Sequence, residues 1–182
     1  MIVAALLPLL ASGLSVSRPK SEIVPGVRIG IARIGASTLS IESLGEPTVY
    51  RPRPNHGLWG TRVGASGHRL DVFSESLGFG DAVDDRIAIV RVTSPSFATS
   101  PRALGPGATE RTMRRAYPRA KSVGTYRPPS GGPPVHVFDD VRGGIAFEVL
   151  RGRCLAVAVH RRGVPVESIA TGYRSHLAAA LR

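Results

Sequence analysis

A chain of 182 residues, 42% hydrophobic and 20% charged, is long and apolar enough to bury a core unaided, which excludes a stapled mini-protein and a disordered chain. The formal net charge of +11 invites contact with anions, yet only Lys20 and Lys121 of the 24 basic residues are lysine, and the arginines are dispersed over nearly every loop, which argues against a dedicated nucleic-acid face. Cys154 stands alone, so the chain has no intramolecular disulfide and no cysteine-based metal cluster.

The apolar run Ile2–Leu10 is too short to span a bilayer and is followed by Ala11-Ser12-Gly13, small residues at the spacing that a signal peptidase reads. No Lys or Arg precedes the run, and no cysteine follows it that could carry a lipid. Residues 1–17 therefore read as a signal-peptide-like segment, and the expected location is secreted or periplasmic, with no transmembrane helix in the mature chain. Residues 18–23, in a Ser-rich stretch broken by Pro19, read as a linker.

From there the chain shows self-similarity, with residues 24–97 as one copy and 98–162 as the other. Gly35-Ala36-Ser37-Thr38 corresponds to Gly107-Ala108-Thr109-Glu110, and each opens a short segment with apolar residues at helical spacing: Ile41 and Leu44, then Met113 with Ala116-Tyr117. Ser37 or Thr38 and Thr109 are the expected N-caps, and Pro47 and Pro118 the helix stops. Strands are predicted near Arg69–Ser74, Leu77–Gly80 and Ile87–Thr93 in the first copy. In the second they are predicted near Val135–Phe138, Gly144–Leu150 and Cys154–His160, with additional strands around Thr48–Arg51 and Ser122–Tyr126. Arg86, Val90 and Val92 keep the spacing of Arg153, Val157 and Val159, and short turns at Asp84-Asp85 and Arg151-Gly152 imply antiparallel pairing. The expected fold class is α+β: two tandem helix-plus-antiparallel-meander repeats, forming one or two antiparallel sheets with helices on one face. Residues 163–182 would add a C-terminal amphipathic helix with Val166, Ile169, Tyr173, Leu177 and Leu181 on one stripe, packed against the sheet.

The Gly-opened helix ending in Leu44-Gly45-Glu46-Pro47 and the meander closing on Arg-x-x-x-Val-x-Val resemble secreted bacterial modules of the β-lactamase-inhibitor-protein and BamE/OmlA type, over Val24 to about Arg161. These turn glycines, helix stops and strand spacings bear on fold far more than on function. The resemblance implies a sheet that grips a partner protein. The inhibitor's disulfides and the lipidated cysteine of the assembly proteins have no counterpart here.

Candidate binding residues fall in two stretches read as loops: Tyr50, Arg51, Arg53, His56 and Trp59 in the first copy, Tyr126 and Arg127 in the second. Aromatic and arginine side chains of this kind form interface hot spots, while Trp59 could equally fold back over the sheet. If both loops share a rim, they frame one surface. No histidine has a metal-ligand spacing, and Asp139-Asp140 beside His136 reads as a turn. Gly105-Pro106-Gly107 lacks the Lys-Ser/Thr pair of a phosphate loop, and no serine has the G-x-S-x-G frame. The expectation is a non-enzymatic exported interaction module with no cofactor, binding a protein or envelope component through a sheet face and the two loops. The alternatives are a basic module for an anionic polymer (nucleic acid, acidic glycan or lipid surface) and a small hydrolase. Cys154, within an apolar run, is expected to be buried and inert.

Overall fold

The computed structural model describes residues 21–53, 56–63, 67–76, 85–100, 102–128 and 131–169. The signal-peptide-like segment, the predicted strand Leu77–Gly80 and the C-terminal segment from residue 170 lie outside the described residues.

In chain order the elements are β1 (Glu22–Val24), β2 (Arg28–Ile29), β3 (Ala32–Arg33), a 3-10 helix (Thr38–Leu44), β4 (Val49–Arg53), β5 (His56–Arg62), β6 (Arg69–Ser76), β7 (Asp85–Val92), β8 (Ala98–Thr99), α1 (Glu110–Ala116), β9 (Lys121–Tyr126), β10 (Val135–Asp140), β11 (Ile145–Leu150), β12 (Arg153–His160) and α2 (Val166–Ile169). Both predicted caps form. The Ser37 hydroxyl accepts from the Leu39 N–H at 3.3 Å, and that of Thr109 accepts from the Thr112 N–H at 3.2 Å. Glu110 in the first turn of α1 and Arg114 and Arg115 in its last suit the helix dipole.

The α+β expectation, with helices on one face, is corrected: the protein is mostly β. Strands β4-β5-β6-β7-β12-β11-β10-β9 form one eight-stranded sheet, antiparallel at every pairing, and β3-β2-β1-β8 form a second, four-stranded sheet. The 3-10 helix and α1 are only seven residues each, and α2 is described over residues 166–169, so the described helices make no layer of their own. They also divide between the two faces. Ile41 of the 3-10 helix and Met113 of α1 join one hydrophobic cluster with Ile23 and Ile29 of the small sheet and with Val72, Val90, Phe147 and Val157 of the large one. Val166 of α2 belongs to a second cluster, with Leu58, Phe73, Ile89, Val135 and Val137. The small sheet escapes a sequence reading because strands of two or three residues carry no measurable period. It also holds a parallel pair, β1 with β8, in register Glu22↔Ala98 and Ile23↔Thr99.

The large sheet is symmetric in order. Four strands follow the 3-10 helix, four follow α1, and the last strand of each set meets the other at the centre, where β7 pairs with β12 from Ile89↔His160 to Val92↔Val157. Each capped helix start is also tied to the first residues of its set's last strand, by Ser37↔Arg86 and Thr109↔Arg153 bridges. No helix among the described residues is long and apolar enough to cross a membrane.

Candidate functional site

Alternation along a strand sends every second side chain to the same face. On the face opposite the small sheet, three central strands place a charged side chain in the core: Asp71 in β6, Arg91 in β7 and Glu148 in β11. All three are at most 1% exposed. The Arg91 guanidinium donates through Nε and Nη2 to the two carboxylate oxygens of Glu148 at 2.7 and 2.8 Å, and through Nη1 to Asp71 Oδ2 at 2.8 Å. Arg69 closes on the other Asp71 oxygen from Nε at 3.0 Å and Nη2 at 2.7 Å, and the Tyr126 hydroxyl donates to Glu148 Oε2 at 2.8 Å. Each buried charge thus has a hydrogen-bonded opposite, which is what its removal from water requires. Small residues make the room. Arg91 reaches Glu148 across β12, where Ala156 and Ala158 are their register partners, and at Gly60 of β5 a Cβ would lie 2.7 Å from Arg69 Nη2 and 2.8 Å from Asp71 Oδ1.

A second buried pair sits on the same face. His160 Nε2 lies 2.9 Å from Asp139 Oδ1, and Nδ1 lies 3.0 Å from the Arg161 carbonyl, so both ring nitrogens face oxygen acceptors. The other Asp139 oxygen accepts from the Val166 N–H at 2.9 Å and so anchors the start of α2. The expected Asp139-Asp140 turn therefore splits into two roles. Asp140 is the turn residue, accepting from the Gly143 N–H at 3.0 Å, while Asp139 is a core partner of a histidine other than His136.

The structure does not bring the sequence-predicted site residues together. Tyr50, Arg51 and Arg53 belong to β4, and His56 and Trp59 to β5. The stretch read as a loop is a hairpin in register Tyr50↔Trp59 and Arg53↔His56. Trp59 is half-buried against the first hydrophobic cluster. Tyr126 ends β9 and is buried, its hydroxyl committed to Glu148; Arg127 is exposed and donates to the Gly132 carbonyl at 3.4 Å. Strand directions settle the relation between the two stretches. With every pairing antiparallel, the β4–β5 turn and the β9–β10 connection fall at opposite ends of the sheet as well as on opposite edges. Seven strand spacings put those edges about 34 Å apart, so the two stretches occupy diagonal corners rather than one rim.

Where the β7–β12 ladder stops, a pocket opens. The N–H of Cys154 donates to the Ala108 carbonyl at 2.8 Å and its carbonyl accepts from the Gly107 N–H at 2.7 Å, so the start of β12 pairs with the 107–108 segment and leaves β7. Between the diverging strands lies a cavity of about 360 Å³ lined by Gly67, His68, Arg69, Arg91, Thr93, Pro95, Pro106, Gly107, Cys154 and Leu155. Pro106 and Gly107 of the Gly105-Pro106-Gly107 segment thus form a wall of this pocket. The segment's conformation is set by packing, since a Cβ on Gly105 would lie 2.0 Å from the Phe97 carbonyl oxygen. Cys154 is buried as expected, and burial, with Glu148 nearby, pushes its thiol up to about 12, so it is neutral and a poor nucleophile. Burial likewise raises the Tyr126 phenol above its ordinary value, with Glu148 adding to the shift.

Sequence reasoning missed both buried ionic groups. The available signal was a charged residue set inside an apolar run, as in Ile89-Val90-Arg91-Val92 and Ala146-Phe147-Glu148-Val149. Comparison with protein-family models, curated proteins and solved structures finds no match to the chain.

Proposed function

We propose that the chain is an exported, non-enzymatic interaction module that holds a protein or envelope component at the corners of its eight-stranded sheet. The observation that carries this reading is the commitment of the buried ionisable side chains of the described sheet to structure. Asp71, Arg91, Glu148, Asp139 and His160 are buried in mutual pairs, and the Cys154 thiol is held neutral. Such groups stiffen a platform, whereas turnover needs them facing a substrate. The resemblance to tandem inhibitor modules points the same way. Because the candidate residues occupy diagonal corners, a partner that engages both spans about 34 Å of sheet, and a smaller partner engages one.

A second reading has its own observation. Arg111, Arg114, Arg115, Arg119 and Lys121 are all exposed on α1, the turn after it and the start of β9, against two acids, Glu110 paired with Arg114 and Asp140 paired with Arg119. This local excess of positive charge suits an anionic polymer.

One experiment separates the two. Immobilised full-length protein is challenged with envelope extract, with duplex DNA and with anionic vesicles at low and moderate salt. The interaction reading expects a protein ligand retained at moderate salt and released when Tyr50→Ala and Arg53→Ala are combined, or when Arg127→Ala is made. Retention limited to DNA or vesicles, lost as salt rises, would replace it with the polyanion reading.

A further inference from the structure

The surface around α1 carries charge that the candidate corners do not use. Arg102, Arg111, Arg115 and Lys121 are exposed, and none of the four makes a hydrogen bond or ion pair among the described residues. Two guanidinium groups lie over ring faces: Arg102 Cζ is 4.6 Å from the centroid of Tyr117, and Arg114 Cζ is 4.4 Å from that of Phe138. The rings are themselves packed, Tyr117 against Phe147 at 4.9 Å, and Phe147 beside Phe138 as its register partner. A guanidinium resting on a fixed ring loses less freedom when it takes a ligand, and Arg102 keeps its N–H edges for that ligand.

The surroundings select among anionic partners. No open ring is offered here for base stacking, since Tyr117 and Phe138 are each only 4% exposed. Nor is an apolar side chain offered for insertion among lipids: Met113 is buried, and the exposed large apolar residues among those described, Ile31 and Leu39, lie outside α1 and β9. Carboxylates need neither, and guanidinium edges meet them with paired donors. Arg111 and Arg115, one turn apart, are separated by about 6 Å along the helix, close to the spacing of about 6.8 Å between alternate residues of an extended peptide.

We propose that α1 and the start of β9 bind an acidic, extended segment of the partner protein, its alternate carboxylates meeting Arg111 and Arg115 and flanking acids meeting Arg102 and Lys121. The proposal rests on the interaction reading. Lys121 starts β9 and Tyr126 ends it, about 17 Å away, so this contact is separate from the Arg127 corner.

Binding of the full-length protein to a labelled peptide alternating glutamate and threonine tests it, beside the same peptide with glutamine for glutamate, short duplex DNA and anionic vesicles. The glutamate peptide is expected to bind saturably, and the other three at least tenfold more weakly. Arg111→Gln combined with Arg115→Gln should weaken the glutamate peptide at least fivefold, whereas Arg33→Gln with Arg62→Gln, which removes the same charge from exposed sites elsewhere, should change it less than twofold. On the unaltered protein, the peptide should shift the amide signals of Arg102, Arg111, Arg115 and Lys121. Equal binding of the two peptides, equal losses in the two double variants, or shifts confined to other parts of the molecule would each overturn the proposal. DNA or vesicles bound more tightly than the peptide, through the same arginines, would replace it with the polyanion reading. Failure of the peptide while an envelope protein is still retained, and released by Tyr50→Ala with Arg53→Ala, would overturn this proposal and leave the interaction reading standing.

Discussion

Replacing Arg91 with methionine keeps much of the side-chain volume but leaves Asp71 and Glu148 buried without their shared cation. That change is expected to cost about 3–5 kcal/mol in urea unfolding, because the penalty is dominated by charges stranded away from water. Replacing Asp71, Arg91 and Glu148 together with apolar residues, and Tyr126 with phenylalanine, should recover at least half of the loss; a combined variant no more stable than Arg91→Met would show that the cluster is worth more than its apolar equivalent. Cys154 makes a prediction in the alkaline range. Its thiol, 9.0 in the absence of burial, is pushed up to about 12, so the folded chain keeps a proton that the unfolded chain sheds. That contribution is intact below the unfolded value and is lost as pH rises toward the folded one, amounting to about 1.4 kcal/mol by about pH 10. Urea midpoints should therefore fall from about pH 8 to about pH 10, and Cys154→Val should flatten the fall. The Tyr126 phenol, raised in the same direction from 10.0, adds its effect at still higher pH.

The hairpin that joins β11 to β12 turns on Arg151 and Gly152, at φ 49° and 73°. Two consecutive positive φ values are the pattern of a type I′ turn, in which an ordinary side chain at the first position is strained and asparagine is favoured. Arg151→Asn is expected to add about 0.5–1 kcal/mol, read as a Tm higher by about 2 °C in thermal unfolding. This turn was legible in the sequence, as were the helix caps at Ser37 and Thr109 and the strands β6, β7, β10, β11 and β12, because each depends on residues close together in the chain. β5 was not. Gly57, Gly60 and Arg62 interrupt its alternation, and Gly60 is there to leave space for the Arg69–Asp71 pair, a requirement visible only once the neighbouring strand is in place. The ionic cluster was hidden for the same reason: Arg91 and Glu148 are 57 residues apart and meet only through the strand order. The tip residues of the two candidate stretches were legible as types, but their placement at opposite corners follows from strand direction, which composition does not carry.

A continuous sheet whose central pairing is reinforced by Arg91 and Glu148, one from each side, should unfold as a unit. Trp59, the only tryptophan, reports on the first side, and far-ultraviolet circular dichroism reports on all strands. Their urea transitions are expected to coincide. A tryptophan transition that precedes the loss of sheet signal would mean that the two sides melt separately. The small sheet bears on the molecule in another way. Through the parallel pair, Glu22 lies beside Ala98, and Arg162 reaches back to donate to the Pro25 carbonyl at 2.9 Å. The chain ahead of the first set of strands, the passage to the second and the exit from the second are thus gathered at one place. A segment whose two ends are neighbours can be copied, transplanted or permuted by a short splice, without a linker to cross the fold. In that sense the four short strands make the larger architecture portable.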